Sequence, residues 1–211
     1  MHELPLASGL LLLAYLLGAI PFGVVVCRLM GLPDPRTVGS RNIGFTNVLR
    51  IAGKKAGIFT LLGDMGKGWL AGWAAQTWLT ESWWIFGVAF ASVLGHLFPV
   101  FLGFKGGKGV ATALGAVTGV MPGIGGLLLL TWVAVAGIWR YSSGAAITAF
   151  ALLPLVALWQ GQLPFLVFSC GTSGLILFRH RANMARLWAG TEPKIGRRGT
   201  PSSSEAATPA S

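Results

Sequence analysis

The most restrictive feature of the sequence is the length of its charge-free runs. Positions 141–178 carry no Asp, Glu, Lys or Arg over 38 residues, and positions 109–139 carry none over 31. A helix crosses a hydrocarbon core of about 30 Å with about 20 apolar residues. The longer run exceeds one helix, and Gln160-Gly161-Gln162-Leu163-Pro164 supplies the turn that divides it. In the shorter run, Met121-Pro122-Gly123-Ile124-Gly125-Gly126 reads as either a kink or a tight turn. Three further spans are expected over residues 4–27, 56–80 and 82–104, the second interrupted by Asp64 and Lys67. Charged residues make up 10% and hydrophobic ones 54%, against about 25% charged in an average soluble domain. The 16 basic and 6 acidic side chains cannot coat a water-facing surface that must also hide 12 Phe and 9 Trp. The chain reads as an all-α integral membrane protein. With 31 Gly and 11 Pro, closely packed or broken helices are expected.

The basic residues decide the number of crossings. The net charge of +10 calls for an anionic partner. These cations sit between apolar runs, which favours lipid headgroups or a phosphorylated substrate over nucleic acid. Nearly all fall in segments 28–55, 105–108 and 179–198, and the positive-inside rule places such segments in the cytoplasm. A single crossing by positions 109–139 would put Arg140 and the whole 179–198 cluster outside. Two crossings leave every Lys and Arg cytoplasmic except the intramembrane Lys67. Seven transmembrane helices follow, with the N-terminus outside, the C-terminus cytoplasmic, and spans four and five short. Met1-His2-Glu3-Leu4-Pro5 lacks a basic n-region, so the first run reads as a retained span. Cys27 and Cys170 lie far apart, in neither a disulfide framework nor a metal-binding pair. No internal repeat is visible, which counts against the pseudo-symmetric folds of many transporters. Residues 1–198 form one membrane domain, and the Pro/Ser/Ala/Thr-rich stretch 199–211 is expected to be disordered.

Polar chemistry collects in the cytoplasmic segments. The first reads Gly39-Ser40-Arg41-Asn42-Ile43-Gly44-Phe45-Thr46-Asn47-Val48-Leu49-Arg50. Hydroxyls and amides surround a fork-shaped guanidinium, a set suited to gripping phosphate oxygens. A hydrated loop with helix-capping Ser, Thr and Asn is the plainer reading. The second, Gly103-Phe104-Lys105-Gly106-Gly107-Lys108-Gly109-Val110-Ala111-Thr112, stands directly before a helix. Its glycines let backbone N–H groups turn toward an anion, the helix offers its positive end, and Lys105 and Lys108 add charge. A Walker A loop needs four residues between Gly and Gly-Lys, then Ser or Thr. Here three intervene and Gly109 follows, so no nucleotide is implied. The plainer reading is a basic interfacial loop holding anionic lipid. A methyl group at Gly107 is expected to obstruct a phosphate and to cost little stability, because the loop lies at the surface.

Pro99 should break the third span, which leaves His96 nine residues, or roughly 13 Å along a helix, below Lys105. A lone histidine there reads first as a structural hydrogen-bonding group. Asp64 and Lys67 share a helix face at i, i+3. Intramembrane ionisable groups are functional candidates by default, although mutual pairing explains them more cheaply. They are expected to support the site from beneath. The third segment is Phe178-Arg179-His180-Arg181-Ala182-Asn183-Met184-Ala185-Arg186-Leu187, followed by Gly190-Thr191-Glu192. His180 and Asn183 stand i, i+3 at the mouth of the last span, and Arg140-Tyr141-Ser142-Ser143 adds hydroxyls on the same side. Lipid anchoring accounts for Arg179, Arg181 and Arg186, but not for the His/Asn pair.

Taken together, the motifs resemble those of the bacterial acyl-phosphate:glycerol-3-phosphate acyltransferases, the PlsY type. The matching residues are Gly39-Ser40-x-Asn42-x-Gly44-x-Thr46-Asn47-x-x-Arg50, then Asp64-x-x-Lys67-Gly68. Gly95-His96-x-Phe98-Pro99 follows, with Lys105-Gly106-Gly107-Lys108-Gly109-Val110-Ala111-Thr112, and the order closes on His180-x-x-Asn183-x-x-Arg186-Leu187-x-x-Gly190-Thr191-Glu192. The likeness runs from about residue 4 to 195. Arg41 stands where glycine is common, Phe45 where a small residue is common, and Ala146 where a further serine is expected. The resemblance implies a seven-span enzyme of the bacterial inner membrane with its site on the cytoplasmic face. Such an enzyme moves an acyl chain from acyl phosphate to the 1-hydroxyl of sn-glycerol 3-phosphate, giving lysophosphatidic acid and phosphate, the first acylation of phospholipid synthesis. Ser40, Arg50, Lys108, His180 and Asn183 are the implied catalytic core. Gly39, Asn42, Gly44, Thr46, Asn47, Lys105, Gly106, Gly107, Gly109, Thr112, Ser142 and Ser143 are implied to bind substrate. Asp64, Lys67, His96 and Glu192 are implied to support them. No metal and no cofactor are implied. The implied partners are the two substrates, membrane lipids and an upstream enzyme that forms acyl phosphate.

Other glycerolipid acyltransferases use His-x-x-x-x-Asp, and no histidine here has that partner: Ala7, Phe101 and Ala185 stand at the positions that follow His2, His96 and His180. Both implied substrates are phosphates, and an acyl phosphate already carries a good leaving group. Positioning and charge stabilisation then dominate the barrier. The hydroxyl proton can pass to the acyl phosphate or to His180; a hydrogen-bond donor role for His180 is the expectation. A transporter of an anionic solute would explain the spans but not phosphate chemistry confined to one face. An anionic-lipid anchor would explain the arginines but not Ser40, Asn42 and Asn47.

Overall fold

The computed structural model describes residues 3–196, which form nine α-helices and no strand among the described residues. The stretch expected to be a disordered tail, 199–211, lies outside them. Helix α1 (Leu4–Ala19) ends at Ile20-Pro21, and α2 (Phe22–Leu29) continues at a bend of 46°. Helix α3 (Phe45–Trp78) is interrupted at Gly53, whose φ of 86° only glycine adopts readily. Helix α4 (Ser82–Leu97) stops ahead of Pro99 and passes into a 3₁₀ turn, Val100–Leu102. The 31-residue run divides at Met121-Pro122 into α5 (Val110–Val120) and α6 (Pro122–Trp139). Gly125 packs back on Thr118, so the break is a tight turn. The 38-residue run divides at Gly161 into α7 (Ser142–Gln160) and α8 (Leu163–Arg179). Helix α9 (Arg181–Trp188) then leaves α8 at a bend of 59°.

Helix α4 with its 3₁₀ turn, α6 and α7 are each long and apolar enough to cross a membrane, and the bent pairs α1–α2 and α8–α9 qualify as broken spans. At 1.5 Å per residue, the 11-residue α5 rises only about 16 Å. The outer surface is apolar: Leu12, Leu130, Ile138 and Leu155 are all more than half exposed. Water would reject such a surface, and lipid does not.

Glycines set the two closest helix contacts. A Cβ at Gly18 would overlap the Ser92 carbonyl, and one at Gly95 the Tyr15 carbonyl, so α1 and α4 run parallel in backbone contact. Gly68 and Gly72 meet the carbonyls of Thr112 and Ala116 in the same way, while Gly115 and Gly119 meet those of Met65 and Trp69. This reciprocal small-residue seam locks α3 beside α5, the usual means of helix association where no hydrophobic force acts between helices. Between the pairs lies a charged knot. Lys67 Nζ stands 2.9 Å from Asp64 Oδ1 and donates to the Ile20 carbonyl at 2.7 Å, at the α1–α2 break, where that carbonyl also accepts the Phe22 N–H at 3.1 Å. His96 Nδ1 lies 3.4 Å from the same Asp64 oxygen.

Candidate active site

Separate stretches of chain converge at one end of the bundle around a cavity of about 1300 Å³. One wall comes from the segment ahead of α3. Gly39, Ser40, Asn42, Gly44, Thr46 and Arg50 border the cavity, and a single side chain shapes them. The buried Asn47 Nδ2 donates to the carbonyls of Pro35, Val38 and Asn42 at 3.0, 3.2 and 2.9 Å, while its Oδ1 accepts the Ser40 N–H at 2.9 Å. Asn42 Oδ1 accepts the Gly44 N–H at 3.1 Å. Asn47, expected to meet substrate, does border the cavity, but its amide is bonded to its own loop. Ser40, Thr46 and Arg50 are left to face a ligand.

The facing wall departs further from expectation. Gly103 and Phe104 both take positive φ, 57° and 64°, and reverse the chain after Pro99. The reversal turns Lys105 outward, where it is exposed and does not border the cavity. It also folds Gly107 onto His96, with the Gly107 N–H donating to the His96 carbonyl at 3.2 Å. The 13 Å separation derived from a continuous helix therefore does not exist. Gly107 is buried, and a Cβ there would overlap the His96 ring. The expectation that a methyl group would cost little stability fails for that reason. Gly106 likewise faces inward, against the His96 and Leu97 carbonyls. Thr112 is fully buried, its carbonyl against Gly68 of α3, and does not border the cavity. Lys108, Gly109, Val110 and Ala111 do border it. The backbone N–H groups of residues 108–112 have no partner among the described hydrogen bonds. They open α5 with its positive dipole end toward the cavity.

The third part is the α8–α9 hinge and the strap after α9. Glu192 is its centre: Oε1 accepts from Ser143 Oγ and from Asn183 Nδ2, both at 2.6 Å, and Oε2 accepts from Arg186 Nε at 2.7 Å. Burial pushes the Glu192 carboxyl up, but the hydrogen bonds from Ser143, Asn183 and Arg186 outweigh that and hold it below the usual range. Lys108 Nζ donates to Asn183 Oδ1 at 2.5 Å. Burial pushes its ammonium down to about 8; Glu192 opposes the shift, and Arg186, Arg179 and Arg50 add to it. Thr46 and Ser142 share a hydrogen bond of 2.9 Å that joins the walls. The strap is fastened by the Ile195 N–H to the Arg140 carbonyl at 2.7 Å and by Arg140 Nη2 to the Ile195 carbonyl at 3.0 Å.

His180 sits in the hinge, beyond the end of α8. Its Nδ1 lies 2.8 Å from the Ile176 carbonyl, which only accepts, so Nδ1 carries a proton. Burial, reinforced by the Lys108 charge, pushes the imidazole down to about 4. The ring is neutral near pH 7, and Nε2 offers a lone pair. With Nδ1 engaged by the Ile176 carbonyl, the ring turns its Nε2 lone pair, an acceptor, to any further partner.

Asp64 and His96 floor the cavity, while Lys67 stays beneath it. Leu61, Met65, Leu114, Leu129, Trp132 and Val133 form an apolar wall that sequence reading missed. In a chain this apolar, nothing marks those six from their neighbours. Arg179 was also missed, being read as a lipid anchor; it borders the cavity and bonds the glycine loop.

The glycerol-3-phosphate acyltransferase family profile matches residues 8–190. A glycerol-3-phosphate acyltransferase of Bordetella petrii is 52% identical over 199 residues, covering 90% of this chain and 94% of that one. Its counterpart in Thioalkalivibrio sulfidiphilus is 51% identical, covering 90% and 95%. Among solved structures, PlsY (YgiH), described as an integral membrane glycerol 3-phosphate acyltransferase, superposes in its glycerol 3-phosphate form with a TM-score of 0.85 at 43% identity, covering 90% of this chain and 96% of that one. Its lysophosphatidic acid form superposes with a TM-score of 0.82 at 41% identity, covering 90% and 95%. With the same motifs brought around one cavity, this chain belongs to the glycerol-3-phosphate acyltransferase family.

Proposed function

We propose that this protein transfers an acyl group from acyl phosphate to the 1-hydroxyl of sn-glycerol 3-phosphate, giving lysophosphatidic acid and inorganic phosphate, as the first acylation of phospholipid synthesis. The observation that carries this reading is the composite character of the cavity. Hydroxyls, cations and free N–H groups at one end continue into the apolar wall of Leu61, Met65, Leu114, Leu129, Trp132 and Val133. A phosphate fits the first and an acyl chain the second. The hydroxyl oxygen bonds the acyl carbon, and the bond from that carbon to the bridging phosphate oxygen breaks. The hydroxyl proton leaves with the phosphate. An imidazole held at about 4 is a weak base, so the departing phosphate is the better proton acceptor. His180 Nε2 receives the hydroxyl hydrogen bond and aims the oxygen. Ser40, Arg50, Lys108 and Asn183 hold the two phosphates, with Gly109, Thr46, Ser142 and Ser143 around them. Charge stabilisation fixed in advance is the largest contribution available to such a site.

The reading places seven crossings in the bacterial inner membrane, with the N-terminus outside, the C-terminus and cavity cytoplasmic, and the acyl phosphate supplied by an upstream enzyme. In a cysteine-free background, single cysteines near Arg41, Lys108, Ser143 and Arg186 should label only from the cytoplasm, and those near Glu81, Gly123 and Gln162 only from outside. External labelling at Ser143 would end the seven-crossing count. The activity is tested with purified protein, acyl phosphate and labelled glycerol 3-phosphate, following lipid product and phosphate together. Equal amounts of both are expected; transfer from a thioester donor alone would overturn the proposed donor.

A further inference from the structure

Arg179 has no part in the reaction described above, and the positive-inside rule accounts for its charge without any contact at all. Its position says otherwise. The guanidinium turns away from the lipid side and reaches across to the glycine loop, where Nη2 donates to the Gly106 carbonyl at 2.6 Å and Nε to the Gly107 carbonyl at 3.1 Å. Neighbouring Arg181 lies over the Phe178 ring at 4.5 Å and is exposed, as an interfacial anchor should be. The two arginines, one residue to either side of His180, do different things.

The consequence follows from peptide geometry. No described peptide bond is cis, and in a planar trans peptide the C=O and N–H point in opposite directions. Fixing the Gly106 carbonyl on Arg179 sends the Gly107 N–H the other way, onto the His96 carbonyl, where it is found. Fixing the Gly107 carbonyl likewise sends the Lys108 N–H away from Arg179, and that N–H has no partner among the described hydrogen bonds. Glycine accepts either sense of such a peptide at little cost. Without the guanidinium, ψ of Gly107 is no longer held, and the Gly107–Lys108 peptide can tilt its oxygen toward the place where an anion must sit, resisted only by the φ preference of Lys108. A carbonyl oxygen there repels phosphate, whereas an N–H attracts it.

We infer that Arg179 is a positioning residue that locks the glycine loop with its carbonyls outward and the Lys108 N–H toward the bound phosphate, setting the loop in the same register as the adjacent His180. This rests on reading the loop as a phosphate site. The fork matters as well as the charge, because one ammonium cannot hold two carbonyls in a fixed plane.

The test uses the full chain in detergent with Arg179→Lys and Arg179→Ala. Inorganic phosphate binding, KM and kcat for each substrate, and hydrogen exchange of the loop amides without ligand are measured on each. Losing one charge-assisted hydrogen bond is worth roughly tenfold or more in affinity. Arg179→Ala should therefore weaken phosphate binding, and raise the KM of one phosphorylated substrate, by about tenfold or more, with a smaller change in kcat. Exchange of the Gly107 amide, which is bonded to the His96 carbonyl, should quicken, Arg179→Lys should remain impaired, and added guanidinium should restore Arg179→Ala. Wild-type binding and loop exchange in Arg179→Lys would overturn the inference, since charge alone would then suffice. Unchanged loop exchange in Arg179→Ala alongside weakened binding would also overturn it, making Arg179 a direct ligand. If Arg179→Ala does not fold, the Lys variant decides by the same readouts. Failure of the acyltransfer reading shows separately, as a wild-type protein that binds phosphate but makes no lipid.

Discussion

On one wall of the cavity a single buried amide, Asn47, gathers the backbone around residues 35–42 onto the helix that follows it. The facing wall is put together from elements distant in sequence: the His96 carbonyl and ring from α4, Arg179 from α8, Asn183 from α9 and Glu192 from the strap. The first wall is held mainly by contacts local in sequence, through Asn47. The second exists only after the bundle has packed. A local wall concentrates its stability in one residue, and an assembled wall spreads it over several. Damage to the first should be nearly all-or-none, and damage to the second graded.

The largest effect is expected at Asn47. Asn47→Ala strands the Ser40 N–H and three carbonyls, and an unmade buried hydrogen bond costs about 1–3 kcal/mol for each group. Activity should fall by more than about a hundredfold, with tryptic cleavage at Arg36 or Arg41 accelerated. A resistant, active variant would show that the loop holds itself without Asn47, and the contrast between the walls would vanish.

Gly107→Ala tests the assembled wall. Its Cβ enters the space of the His96 ring, and overpacking of this kind costs about 1–3 kcal/mol. Adding His96→Ala should restore part of the loss in melting temperature, since contacting residues couple non-additively. Strict additivity of the two changes would mean that the ring and the loop do not touch.

His180 comes next. His180→Gln keeps an acceptor oxygen at about the reach of Nε2, whereas His180→Ala keeps none. We expect about a tenfold loss for Gln and about a hundredfold for Ala, within the range for hydrogen bonds to a reacting group. Because burial pushes the folded imidazole down to about 4, it should stay neutral as pH falls from 7 toward 5, and no acid limb near the reference value of about 6.5 should belong to it. A limb near 6.5 present in wild type and absent from His180→Gln would identify His180 as the general base.

The smallest effect is a shift in pH profile. Lys108, pushed down to about 8, holds its charge below that value and loses it above. In the free enzyme, kcat/KM should decline as pH rises through about 8. Lys108→Arg, which does not deprotonate in this range, should move that decline upward in whatever activity it retains. An unmoved decline would assign the titration to another group.

The two walls also differ in how far the sequence betrayed them. Gly39 to Arg50 are close neighbours in the chain, so their loop could be read as one motif, and its only surprise is that Asn47 serves the loop. The glycine loop was recognised by its composition, but its orientation was not. Whether Lys105 or Lys108 faces the site depends on the sign of φ at Phe104, and bulky side chains seldom adopt positive φ. His96 could not be placed against Gly107 while the chain between them was counted as a rising helix. Arg179 was hidden because a membrane boundary already explains an arginine. The His180 tautomer needed the Ile176 carbonyl, which no spacing rule supplies. The division of residues 109–139 was legible, because charge parity demanded an even number of crossings there.

The apolar wall has a kinetic consequence. Helix α6 carries Leu129, Trp132 and Val133 on the cavity and Leu130 and Ile138 toward lipid. Under the proposed function, an amphiphile lying along it is drawn from the bilayer and returns there, whereas glycerol 3-phosphate arrives through water. In the proposed reaction the two substrates are therefore counted in different units, one per volume of water and the other per lipid in the leaflet. Turnover then responds to the mole fraction of acyl donor in the membrane, and expanding the bilayer slows it even when the number of donor molecules per cell is unchanged.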